Sequence, residues 1–101
     1  MTDAAKTTYQ VFVDDNFHYM DERERYLLGT FPNCQSAIKK CQEIVDAYLL
    51  EAYKQGMSAS QLYRSYTSFG EDPWISAADG ECAFSAWSYA EQRCKEICRD
   101  Q

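Results

Sequence analysis

A chain of 101 residues carrying a formal charge of −6 has room for one domain around one core, and a large internal active-site chamber is not expected at that size. Its ten Lys and Arg are scattered among 16 Asp and Glu, so a phosphate backbone would be repelled and nucleic acid is not an expected partner. No apolar run is long enough to cross a bilayer, and the opening residues Met1 to Lys6 lack the apolar stretch of a secretory signal, so the expected address is cytoplasmic, with no membrane partner.

Residues 1–7 are small and polar and read as a flexible tail, with a single domain over 8–101. Tyr9, Val11 and Val13 alternate with Gln10 and Phe12, the period of a strand. A second β-rich run over 25–31 predicts an antiparallel partner. The connection between them, residues 14–24, exceeds the ~2–5 residues usual for hairpins, and long ordered loops are more often functional than short turns. After Gly29 and Pro32 the period changes. Ile38, Cys41, Val45, Tyr48 and Ala52, flanked by Ala37, Ile44 and Leu49, predict an amphipathic helix of about 20 residues, on the order of 30 Å long, with Asn33 as N-cap and Gly56 as C′ residue.

Ser58 and Gln61 form a capping box, and Met57 with Leu62 a hydrophobic staple, for a second helix beginning at Ala59 and stopping before Gly70. Glu71-Asp72-Pro73-Trp74-Ile75 reads as a turn feeding a short strand, which the proline suits to a sheet edge. Asp79-Gly80 breaks that strand. The last helix starts near Ser85, with Phe84 and Tyr89 as a staple and an apolar stripe of Trp87, Ala90, Cys94 and Ile97. The order β-β-α-α-β-α predicts an α+β fold, a small antiparallel sheet with the helices packed on one face. Strand order is left open.

Leu, Ile, Val and Phe number only 17, a share that ordinarily signals disorder. Eight Tyr, five Phe and two Trp compensate, so the expected core is made of rings, alanines and cysteines more than branched aliphatics. The five cysteines, Cys34, Cys41, Cys82, Cys94 and Cys98, are odd in number and show no disulfide-rich spacing, which predicts reduced, mostly buried thiols.

The runs 13–22 (VDDNFHYMDE), 70–75 (GEDPWI) and 84–90 (FSAWSYA) together resemble a group of short uncharacterised bacterial proteins of unknown function. The resemblance spans most of the chain. It implies a bacterial cytosolic setting and assigns no catalytic residue.

Four kinds of chemistry are worth weighing. His18, the only histidine, lies beside Asp14, Asp15 and Asp21, an arrangement suited to proton transfer, but no nucleophile or oxyanion donor accompanies it. Asp14, Asn16 and His18 alternate as ligands do in a calcium loop, yet the turn glycine and terminal bidentate acid are missing. Cys94 and Cys98 have no second pair for zinc. Cys34, in the first turn of the long helix, has the dipole of a reactive thiol without a hydrolase signature.

The remaining reading is a binding surface. Residues 14–22, 69–75 and 84–89 are rich in aromatics and acids together, the mixture protein interfaces use. The expected protein is a non-catalytic module needing no cofactor or metal, monomeric or homodimeric, that binds a protein or small ligand of basic character. The expected contacts are Asp14, Asp15, Asn16, Phe17, His18, Tyr19, Asp21, Glu71, Asp72 and Trp74. The rival is an enzyme or metal-binding protein using His18 with neighbouring carboxylates. Of Phe17, Tyr19, Trp74 and Trp87, it is Trp87, on the helix stripe, that is most expected in the core.

Overall fold

The computed structural model describes residues 8–17, 25–77 and 82–98. The expected tail at 1–7 and the break at Asp79-Gly80 lie outside them. The elements are β1 (Tyr9–Asp15), β2 (Tyr26–Phe31), α1 (Cys34–Ala52), α2 (Ala59–Phe69), β3 (Glu71–Ala77) and α3 (Ala86–Ile97). This is the α+β order β-β-α-α-β-α expected from the sequence, with helices packed on a three-stranded antiparallel sheet in the order β2-β1-β3.

Central β1 pairs directly with both neighbours, Tyr9 opposite Phe31 on one side and Asp15 opposite Glu71 on the other. A bulge between Val11 and Phe12 leaves Leu28 of β2 without a direct partner, and that extra residue packs toward Val11, Ala37 and Cys41. Pro73 sits inside β3 opposite Val13, which works because β3 is an edge strand and the missing N–H is not needed for an outer ladder.

Alternation sorts the sheet residues. Val11 and its partner Ile75 meet α1 through Ala37 and Cys41, whereas Phe12 and its partner Trp74 point the other way and stack, ring centroids 5.0 Å apart. A second cluster joins the helices: Val45, Leu49, Leu62, Tyr66, Ala86, Ala90, Cys94 and Cys98. Phe84 packs against both clusters.

The helix signals act where they were expected. Asn33 accepts from the Ser36 N–H, Ser58 and Gln61 close a complete capping box, and Phe84 and Tyr89 stand at a 5.7 Å ring separation across the Ser85 cap of α3. Three expectations need correction. First, α1 ends at Ala52, where the Tyr53 N–H bonds to Leu49, so Gly56 is not its C′ residue. With φ of 90° it turns the chain after the helix, in the turn closed by the Met57 N–H to Lys54. Second, Ala90 and Cys94 of the expected α3 stripe are buried, but Ala86 completes the row in place of Trp87, which is 36 % exposed. Third, alanines and cysteines do fill much of the core, but among the rings of the described residues only that of Tyr66 is wholly enclosed.

The largest correction concerns the thiols. Cys34 and Cys82 form a disulfide across a separation of 48 residues, while Cys41, Cys94 and Cys98 are free and buried. No sequence spacing announces a bond of that span. The fold creates it by setting the first residue of α1 beside the segment that enters α3.

Candidate functional site

The site is assembled at the end of β1. Asn16 is buried, and its backbone N–H and both ends of its side-chain amide are hydrogen-bonded. Its N–H donates to the Gly70 carbonyl at 2.9 Å, its side-chain NH2 to the Tyr66 carbonyl at 2.9 Å, and its Oδ1 accepts from Trp87 Nε1 at 3.1 Å. One short side chain therefore pins β1 to the last turn of α2 and to the first turn of α3. A buried amide earns its place only when satisfied in this way.

Around that pin lies a cavity of about 590 Å³ lined by Asp14, Asp15, Asn16, Arg25, Asp72, Trp74, Phe84, Ser85, Ala86 and Trp87. The three aromatic-acidic segments singled out in the sequence each contribute to it. Of the residues singled out in the sequence, Asp14, Asp15, Asn16, Asp72 and Trp74 line this cavity. Phe17 and Glu71 do not. Phe17 is exposed and stacks on Phe69 with centroids 5.5 Å apart, and Glu71 accepts from the Tyr26 hydroxyl at 3.2 Å and faces a separate depression with Lys40, Glu43 and Tyr48. His18, Tyr19 and Asp21 lie outside the described residues, and the proton-transfer reading built on His18 lies there with them.

Sequence reasoning missed Arg25 and misjudged Trp87. Arg25 binds both oxygens of Asp14, at 2.7 Å through Nε and 3.2 Å through Nη2, while its guanidinium carbon lies 5.1 Å from the Trp74 ring centroid. This is the arrangement a planar cation prefers, a bidentate carboxylate beside an aromatic face. The placement of Trp87 one residue beyond the buried row of α3 turns its ring to the cavity, and its N–H finds Asn16 instead of the interior.

Asp72 stands directly opposite Asp14 across the strands. Burial first, and then the charge of Asp14, push its carboxyl up to about 6. Asp14 has Arg25 as its cation; among the described residues no Lys or Arg pairs with Asp72. Among the described lining residues, an ionised Asp72 makes three carboxylates against one guanidinium, a charge of −2.

Other candidate chemistry is weaker. Among the described residues no group of three His, Cys, Asp or Glu is placed to hold a metal ion. Cys34 is not a free thiol, as its disulfide shows. Burial, the first cause in each case, pushes Cys41 and Cys94 up to about 11, so neither is a ready nucleophile. No helix among the described residues is long and apolar enough to cross a membrane.

No known protein family, curated protein or solved structure matches this chain. The site's own geometry is what bears on function.

Proposed function

We propose that the protein is a non-catalytic recognition module whose acidic-aromatic cavity takes a cationic group, guanidinium or ammonium, presented by a basic partner. The observation that carries this reading is the state of Asp72: a half-buried carboxyl beside a second carboxylate, walled by Trp74 and Trp87, with no cation assigned to it among the described residues. Leaving such a group without a counter-charge costs stability, and an incoming cation would relieve it.

Arg25 supports the choice of ligand. Its guanidinium already rests on Asp14 and Trp74, an internal example of what the neighbouring Asp72 would accept from outside. The chain's acidity adds a long-range attraction for basic surfaces, expressed in association rate and salt sensitivity more than in final affinity. Activity in the bacterial cytoplasm, implied by the sequence resemblance, belongs to the same proposal.

The test is calorimetric titration with N-acetylarginine amide, with the isosteric but neutral N-acetylcitrulline amide as control. The reading expects saturable binding of the cation with a Kd on the order of 1 mM, about −4 kcal/mol for one small group, and none of the neutral analogue. Equal binding of both, or of neither, would remove the cation from the proposal.

A further inference from the structure

We infer that the Cys34–Cys82 disulfide is a thiol-exchange site that fixes the α3 wall of the cavity, so that a dithiol reductant loosens this wall and reoxidation restores it. The consequence for ligand binding rests on the function proposed above. The loosening does not.

The bond's position carries the inference. Cys82 lies two residues before Phe84, three before the Ser85 cap and five before Trp87, and Phe84, Ser85 and Trp87 all line the cavity. Cys34 is the first residue of α1, whose Ala37 and Cys41 are packed on the sheet. The disulfide thus ties a short, partly exposed segment to a rigid helix. Among the described residues that segment is also held by the Phe84 ring between the two core clusters, by buried Ala86 and by the Trp87 bond to Asn16. Severing the one covalent tie leaves the segment that enters α3 freer to open while the core stays packed.

The two sulfurs are also unequal. Cys82 is 5 % exposed, whereas Cys34 is only half-buried and stands at the N-terminus of a 19-residue helix, where free amide groups and the dipole stabilise a thiolate. A dithiol thiolate attacks the Cys34 sulfur, the S–S bond breaks, and Cys82 leaves as a thiolate and takes up a proton. The reductant's second thiol then attacks its own sulfur in the mixed disulfide and releases Cys34 as a thiolate. The protein has gained two electrons, and the dithiol has become a disulfide. The three remaining thiols are buried and held protonated, so they do not compete. In a reducing compartment, disulfides that persist are usually of this transient, sensing kind.

Hydrogen–deuterium exchange on the full chain tests this without any ligand. After treatment with dithiothreitol, exchange of the amides over 82–90 should accelerate about tenfold more than the increase that lower global stability gives the amides of β1 and α2, and should recover on oxidation. A Cys34→Ser, Cys82→Ser variant should exchange like the reduced protein and ignore the reductant. Identical exchange in both redox forms, uniform acceleration along the chain, or a response of the double variant to dithiol would each overturn the inference. In parallel, N-acetylarginine amide should bind the reduced form about tenfold more weakly, the effect expected of a loosened site. Equal affinity for both forms would overturn the regulatory part, and binding to neither would count against the proposed function alone.

Discussion

Asp14 and Asp72 are direct partners across β1 and β3, yet they live in different electrostatic conditions: Asp14 is held by Arg25 at 2.7 Å, and Asp72 is raised from 3.8 to about 6 by burial and by Asp14 itself. Asp14 has a counter-charge in Arg25, whereas Asp72, with none among the described residues, holds its proton to higher pH. The pair therefore has a stability consequence and a binding consequence of opposite sign.

The stability consequence follows from linkage. Between about pH 4 and 6 the folded state keeps a proton on Asp72 that the unfolded state has released, so stability falls as pH rises through that window and then levels off. Asp72→Asn should remove this slope and raise stability at pH 7.5 by on the order of 1–2 kcal/mol, allowing for solvent screening. Urea denaturation at pH 5 and pH 7.5 measures both. A residue whose removal stabilises the fold is one that function, not folding, would keep.

Asn16→Ala should be costly. It leaves the Tyr66 carbonyl and the Trp87 indole without their partner, for a loss of about 2–3 kcal/mol with Trp87 emission shifted to the red. Thermal unfolding followed by tryptophan fluorescence suits this variant, because both tryptophans of the chain line the cavity.

Gly70→Ala tests the joint between α2 and β3. The backbone at Gly70 is extended and any residue could adopt it, but an added Cβ would lie 2.5 Å from Tyr66 Cδ1 and 2.9 Å from the Tyr66 carbonyl oxygen. Tyr66 is wholly buried and its hydroxyl donates to the Glu71 carbonyl at 2.6 Å, so the ring cannot swing aside cheaply. A loss of about 1–3 kcal/mol is expected in chemical denaturation.

Reduction of the disulfide should lower global stability as well as loosen α3. Closing a loop of 48 residues removes unfolded-state entropy worth about 4 kcal/mol in the chain-entropy account, with 2–4 kcal/mol the usual range. The melting temperature in dithiothreitol should fall accordingly, and the double serine variant should melt at the same lower temperature.

How much of this was legible in the sequence depends on the range of the interaction that decides each feature. The Ser58–Gln61 box, the Asn33 cap and the period of β1 are local, and they place the elements correctly. Trp87 went astray because helical periodicity is ambiguous by one residue near an end, and the choice between the Trp87 and Ala86 rows is made by Asn16, 71 residues away. Arg25 carried no signal at all, since its value lies in meeting Asp14 and Trp74 across the hairpin and the sheet. The aromatic-acidic composition did mark the segments that converge on the cavity. It could not separate Phe17 and Glu71, which face elsewhere, because composition has no direction.

The most direct test of the central claim is the affinity of N-acetylarginine amide for the native protein and for Asp72→Asn, each at pH 7.5 and pH 5, followed by tryptophan emission. If Asp72 is the open cation site, the native protein should bind about tenfold more tightly at pH 7.5 than at pH 5, because protonation near pH 6 removes the counter-charge, and the variant should bind weakly and equally at both. Binding by the variant that matches the native protein, or native affinity that ignores pH, would contradict the account.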